Sequence, residues 1–318
     1  MTPWLLSGLG LVILLLAGDA LVRGAVNLSL RLGVPALIVS LTIVAFGTSA
    51  PELLIAIKAV LDNAPGIALG NVVGSNTANI LLVLGVPALL AAMHTSECDT
   101  RKTYLFMIAA SVLFIVLAFC GTFTIWSGLI LLGALALVLL DALREARDHR
   151  RACCAGDNDE LDILEEADPN MPYWRIAIYL VLGLIGLPMG ASLLVDNATI
   201  IARMYGVSET VIGLTLVAIG TSLPELATTV MAALRRQADV ALGNVIGSNM
   251  FNLLAIVGIA TFFGPIAVDP EFLSFDLWVM LGASLLLIPF VFLRQDITRV
   301  WGVALTVLYA LYLVVVLS

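Results

Sequence analysis

Glu52 and Glu225 each stand in a long apolar segment that otherwise excludes charge, at the end of the matching runs Gly47-Thr48-Ser49-Ala50-Pro51-Glu52 and Gly220-Thr221-Ser222-Leu223-Pro224-Glu225. A carboxylate in such surroundings is expensive and by default marks a functional site. Thr48 and Ser49 precede Glu52 by four and three residues, so on a helix all three project to one side, and Thr221, Ser222 and Glu225 repeat the pattern. Further along, Asn71, Ser75 and Asn79 form an i, i+4, i+8 stripe, copied as Asn244, Ser248 and Asn252. The donor set is carboxylate, hydroxyl and amide, with neither thiol nor imidazole. Oxygen ligands of this kind suit hard cations such as Ca²⁺ and Na⁺, whereas Zn²⁺ or Cu⁺ would call for Cys or His.

All matching positions share one offset, 225 − 52 = 173, and laying Leu41–Gly85 on Leu214–Gly258 gives 23 identities in 45 positions without a gap. The chain is therefore a duplicated pair. Pro51 and Pro224 cannot donate the helical hydrogen bond, which predicts an interrupted helix and freed carbonyls at Gly47 and Gly220. Such carbonyls at membrane depth are tolerated only inside protein or beside a polar cavity. Other features read more plainly. An isolated membrane Ser or Thr commonly bonds its own helix backbone. Gly70, Gly74, Gly243 and Gly247 read as close helix packing, and Asn76 and Asn249, off the main stripe, as supports.

The elements that must position these residues are membrane helices. With 61% hydrophobic and 12% charged residues, the chain is far more apolar than a soluble domain of its length requires. Spans are predicted at 4–22, 36–58, 67–92, 104–121, 123–143, 174–195, 209–234, 239–263, 275–293 and 299–317. This is an all-α integral membrane protein of ten transmembrane helices, divided as a first five-helix repeat (1–143), a cytoplasmic linker (144–173) and a second repeat (174–318). Alternate loops hold all the basic residues except Lys58 and Arg203, which places both termini outside the cytoplasm. The N-terminus lacks a basic n-region, so the first helix is expected to be retained. Five spans per copy force the second copy to enter from the opposite side, giving the inverted-repeat plan of many secondary transporters.

At this point the residues resemble a known family. The paired motifs are similar to the two alpha repeats of the cation/Ca²⁺ exchanger superfamily, and the short chain with Gly-Thr-Ser-x-Pro-Glu in both halves most resembles its prokaryotic sodium/calcium exchanger branch. The resemblance implies a ten-helix fold with an external N-terminus. It implies cation binding on the second, third, seventh and eighth helices, with alternating access by movement of the first and sixth. Carried over by position, the implied metal ligands are Thr48, Ser49, Glu52, Ser75 and Asn79 with Thr221, Ser222, Glu225, Ser248 and Asn252. Where some prokaryotic members and the K⁺-dependent exchangers have aspartate, this chain has Asn252, so the site carries two formal negative charges and K⁺ co-transport is not expected.

The expected function is Na⁺/Ca²⁺ antiport in the cell (inner) membrane, with Ca²⁺ and Na⁺ as transported substrates. No prosthetic group, no nucleic acid and no obligatory oligomer are expected. H⁺/Ca²⁺ exchange is the alternative, since a buried glutamate can take a proton when it loses its cation. A passive cation channel fits the Pro-interrupted repeat less well, and no nucleophile, His or Gly-x-Gly-Asp motif supports an enzyme. The linker turns acidic through Asp157, Asp159, Glu160, Asp162, Glu165, Glu166 and Asp168, yet its spacing fails the EF-hand pattern and reads as a solvated connection. Cys98, Cys120, Cys153 and Cys154 suggest no disulfide framework, and His94 with Cys98 makes no convincing metal site.

Overall fold

A computed structural model describes residues 2–154, 168, 170–206 and 218–317. The acidic stretch 157–166 of the expected linker and the side chains of Cys153 and Cys154 lie outside that description. The helices are α1 (Thr2–Leu32), α2 (Ala36–Thr48), α3 (Ala50–Leu61), α4 (Pro65–Leu90), α5 (Arg101–Ala118), α6 (Ile125–Cys154), α7 (Tyr173–Met204), α8 (Ala218–Thr221), α9 (Leu223–Leu234), α10 (Ala238–Ala260), α11 (Phe272–Phe292) and α12 (Arg299–Leu317). Among the described residues eight helices can each cross a bilayer by length and composition, and α2 with α3 adds one more span, bent by 43°. The expected span 209–234 is represented by α8 and α9, and its first residues fall outside the description. Helix α6 continues past residue 143 to Cys154, into the segment expected to be linker.

The expected proline break is present, but its form differs. The chain leaves helical geometry at Ser49 (φ −85°, ψ 4°) and again at Ser222 (φ −88°, ψ 4°), one residue before each new helix starts. Pro51 and Pro224 are then the second residues of α3 and α9, where a helix has no use for the missing N–H. Each proline thus starts a half-helix as much as it ends one. A second irregularity takes in the last residue of each Asn stripe: residues 251–256 of α10, with Asn252, wind as a π-helix, and in α4 the Val83 N–H reaches back five residues, past Asn79, to Ala78 O at 2.9 Å. Adding 173 to 78 and 83 gives 251 and 256, so both repeats carry this bulge at one place; π-bulges concentrate at functional sites.

The long helices α1 and α7 pack along most of their length. At 1.5 Å per residue a 31-residue helix is about 46 Å long, against about 30 Å of hydrocarbon, so α1 must tilt or project. Small residues bring the two backbones together: a Cβ on Gly190 would lie 2.8 Å from Leu14 N, and one on Gly10 would lie 2.7 Å from Leu194 N. On the other flank of α1, Arg235 Nε donates to Asp19 Oδ1 at 2.5 Å and Arg23 Nε donates to Asp19 Oδ2 at 3.0 Å. Repeat exchange would map Asp19 to Ser192 and Arg235 to Asp62, so this ion pair has no equivalent on the opposite face.

Two short pairings join the repeats at opposite ends. Thr122 and Phe123 pair with Ala267 and Ile266, and Met93 pairs with Ile297 through two 3.1 Å backbone bonds. Met93 and Ile266 are again 173 apart while their partners Ile297 and Phe123 are 174 apart, so the connections correspond to within one residue. At the Met93–Ile297 end, Asp296 accepts from Ser96 N at 3.1 Å, and its other oxygen lies 3.0 Å from His94 Nδ1. This is what His94 does here, and Cys98 Sγ is directed at the His94 carbonyl at 3.9 Å. Burial pushes the Asp296 carboxyl up, but the Ser96 and His94 interactions outweigh it and hold the group below its ordinary value of 3.8. A depressed carboxyl stabilises the fold above its unfolded pKa and ceases to do so as pH falls through the folded value. Asp296→Asn is therefore expected to lower the thermal midpoint by about 1–3 °C at pH 7, with parent and variant converging only as pH falls through the folded value, which lies below 3.8. Thermal scans across pH check this.

Candidate functional site

The bottom of the site is a parallel contact between α2 and α10. Ser40 Oγ donates to Val240 O at 2.7 Å, and two turns on, Thr48 Oγ1 lies 3.5 Å from Ser248 Oγ. Both pairs are 200 residues apart, so one register holds α2 on α10 from Ser40 up to the break at Ser49. Glycine makes this approach possible: a Cβ on Gly247 would sit 2.6 Å from Leu41 O and from Ala45 Cβ, and one on Gly243 would sit 2.8 Å from Leu37 O. For these two residues the packing expectation holds. Gly70 and Gly74 meet no atom within 4 Å, and the repeat images of Leu37 and Leu41, at 210 and 214, lie outside the described residues.

Most of the predicted site residues are buried in the interior. Glu52 and Glu225 are each 1% exposed. Ser49 Oγ donates to Glu225 Oε1 at 3.3 Å across the repeat boundary, and Thr48 Oγ1 is 3.3 Å from Asn244 Oδ1. Asn244 Nδ2 in turn reaches Glu225 O at 3.4 Å and Thr229 Oγ1 at 3.2 Å. Ser75, Asn79, Ser222, Ser248 and Asn252 are buried, and Thr221 is half-buried. Elsewhere the membrane hydroxyls behave as isolated ones do: Thr42, Thr77, Ser111, Thr228 and Ser284 bond the carbonyl four residues back. Ser49 faces across helices instead, and Thr48 Oγ1 does both, lying 3.3 Å from Ala45 O of its own helix as well as near Asn244 and Ser248.

Unmatched buried polar atoms fall mostly on the predicted site residues, apart from Ser7 Oγ and the amide nitrogen of Asn71. Among the described residues, Glu52 Oε1 and Oε2, Glu225 Oε2, Asn79 Oδ1, Asn252 Oδ1 and Ser222 Oγ are buried without a hydrogen-bond partner. An unpaired buried polar atom costs roughly 1–3 kcal/mol and a carboxylate more, so six together call for something to bind. Both glutamates lie in the first turn of their half-helices, α3 and α9, where the positive end of the helix dipole favours a negative charge. The break at Ser49 and Ser222 thus creates, at mid-span, the helix start that each carboxylate needs. No three His, Cys, Asp or Glu side chains come together among the described residues. Any further ligands are amides, hydroxyls, carbonyls or water, the donor set of a hard cation.

Sequence comparison agrees with this chemistry. Residues 2–143 and 175–318 match the family described as sodium/calcium exchanger protein. The chain belongs to that family. It is 34% identical to the sodium/calcium exchanger MaX1 of Methanosarcina acetivorans over 336 residues, covering 96% of each chain. It is 34% identical to the inner membrane protein YrbG of Escherichia coli, covering 87% of this chain and 85% of the relative. Among solved structures, the sodium-calcium exchanger NCX_Mj soaked with Na⁺ and Sr²⁺ superposes with a TM-score of 0.80 at 31% identity, covering 100% of this chain and 98% of that one. The chain is a multi-pass membrane cation/Ca²⁺ exchanger with the NCX_Mj fold, and it transports ions without converting them chemically.

Sequence reasoning passed over Met107 and Met280. Asn76 Nδ2 lies 3.7 Å from Met280 Sδ, and Asn249 Nδ2 lies 3.8 Å from Met107 Sδ. The two methionines are 173 apart, a signal readable in the sequence but beyond the stretch where the repeats align by identity.

Proposed function

We propose that this exchanger couples inward movement of Na⁺ to outward movement of Ca²⁺ at one site between its repeats, 1–143 and 174–318, joined by 144–173 on the cytoplasmic side. The observation that carries the reading is the set of unmatched buried oxygens centred on Glu52 and Glu225. Two carboxylates neutralise one Ca²⁺ and, binding in bidentate fashion, would supply about four of its six to eight oxygens. Thr48, Ser49, Ser75, Asn79, Thr221, Ser222, Ser248 and Asn252 supply neutral oxygens for Ca²⁺ or for Na⁺. The hydroxyls beside both glutamates favour Na⁺ over H⁺ as the coupling ion, because proton transfer needs no such oxygens.

The charge explains exchange. An empty site would carry two bare carboxylates through a closed, low-dielectric intermediate at about 2.5–3.5 kcal/mol per charge or more. Ca²⁺ or Na⁺ removes that penalty, so loaded forms cross and the empty form does not. Both termini face away from the cytoplasm, as the basic loops require, and the inner membrane, where YrbG is named as residing, is the expected location. The test is ⁴⁵Ca²⁺ uptake into reconstituted vesicles under an outward Na⁺, K⁺ or H⁺ gradient. Uptake with Na⁺ alone supports the proposal; uptake driven by H⁺ alone would sink it.

Position 252 sets the charge balance. Asn252→Asp adds a third carboxylate to the proposed site, where it must share protons or cations with Glu52 and Glu225. Ca²⁺ uptake by this variant is expected to fall more steeply than the parent's as pH drops from 8 to 6. A variant with the parent's pH and K⁺ dependence would show that position 252 has no such role.

A further inference from the structure

We propose that Asn76 and Asn249 are positioning residues that make Asn79 and Asn252 present oxygen, not N–H, to the transported cation, and that Met107 and Met280 fix the direction. This rests on the cation site proposed above. An asparagine amide is two-faced, and nothing in its shape decides which end meets the ion. Here four amides form a closed pattern between α4 and α10. Asn79 Nδ2 donates to Asn249 Oδ1 at 3.0 Å, and Asn252 Nδ2 donates to Asn76 Oδ1 at 3.1 Å. Asn76 Nδ2 donates to Asn249 O at 3.3 Å, and Asn249 Nδ2 donates to Asn76 O at 3.4 Å. Every bond crosses the repeat boundary, and adding or subtracting 173 turns each bond into its partner.

The direction follows from groups that can only accept. A backbone carbonyl and a thioether offer no proton. Against Asn76 O and Met107 Sδ, Asn249 must therefore point its NH₂, which leaves its Oδ1 facing Asn79. That oxygen also only accepts, so Asn79 must turn its NH₂ toward it and its Oδ1 away. Met280 and Asn249 O act through Asn76 on Asn252 in the same manner. The outcome is visible at the end of each chain of bonds: Asn79 Oδ1 and Asn252 Oδ1 are the atoms left buried without a partner. All four amides and both methionines are at most 2% exposed, so water does not compete for these bonds. Each repeat thus orients the ligand of the other.

The test is Ca²⁺ KM and maximal uptake rate for reconstituted Asn249→Leu, Asn76→Leu and Asn249→Asp proteins. The leucine variants free Asn79 or Asn252 to flip, and KM is expected to rise about tenfold with the maximal rate within about threefold of the parent. Asn249→Asp keeps an oxygen for Asn79 Nδ2, so its KM is expected to lie closer to the parent's than that of Asn249→Leu does. A leucine variant with the parent's KM, or an aspartate variant as defective as leucine, overturns the proposal. If the leucine variants fail to fold, Met107→Leu/Met280→Leu decides, because leucine fills similar space without an acceptor. Its KM is expected to rise about threefold at an unchanged thermal midpoint, and an unchanged KM overturns the proposal. KM is read under whichever gradient drives the parent, so loss of the Na⁺ reading leaves this comparison intact. Continued transport by Glu52→Gln would instead remove the site on which it rests.

Discussion

Replacing Glu52 or Glu225 with glutamine is expected to reduce Ca²⁺ exchange to background while the protein still inserts and folds. Glutamine has the shape of glutamate, so α3 and α9 keep their packing. It removes one of two negative charges and places an NH₂ among oxygens meant for a cation. Losing one charged ligand of two costs at least about 3 kcal/mol of binding, which is more than about a hundredfold in affinity. Stability should move the other way. Glu52 has both oxygens unmatched in the interior, so its neutral replacement removes an unpaired buried charge. In EDTA the variants are expected to melt at or above the parent's temperature, and the rise in melting temperature that Ca²⁺ gives the parent should disappear. Near-normal uptake by either variant would refute a site shared by the two carboxylates.

Gly247→Val is expected to be the most damaging substitution away from the carboxylates. Even an alanine Cβ at this position would stand 2.6 Å from Leu41 O and Ala45 Cβ, and the nearest obstacles include backbone, so α2 and α10 must separate. Overpacking of this kind costs about 1–3 kcal/mol. It also reaches the site, because separation pulls Thr48 from Ser248 and Asn244. A fall in thermal midpoint together with an uptake loss of more than about tenfold is the expected result. Gly133→Val is the control: no atom lies within 4 Å of a Cβ there, and activity near the parent's is expected. Equal behaviour of the two variants would count against the close α2–α10 contact as a requirement.

The sequence by itself determined the solvent, the duplication and the chemistry of the site. Composition requires a bilayer, the offset of 173 requires two related halves, and a glutamate beside Thr, Ser and Pro in each half requires a polar interior. These features are local or strictly periodic, and a linear reading detects both. What only the tertiary structure decided depends on which backbone groups meet. That Pro51 and Pro224 start half-helices, so that each glutamate sits at a positive helix end, follows from the turn at Ser49 and Ser222, which residue types alone leave open. The register of α2 on α10 was hidden because glycine packing has a partner only in three dimensions. Asn76 and Asn249 looked peripheral because helical spacing assigns a side chain to a face without saying what the face meets. Their bonds to Asn252 and Asn79 join opposite repeats, and only the folded chain brings the four amides and two methionines together.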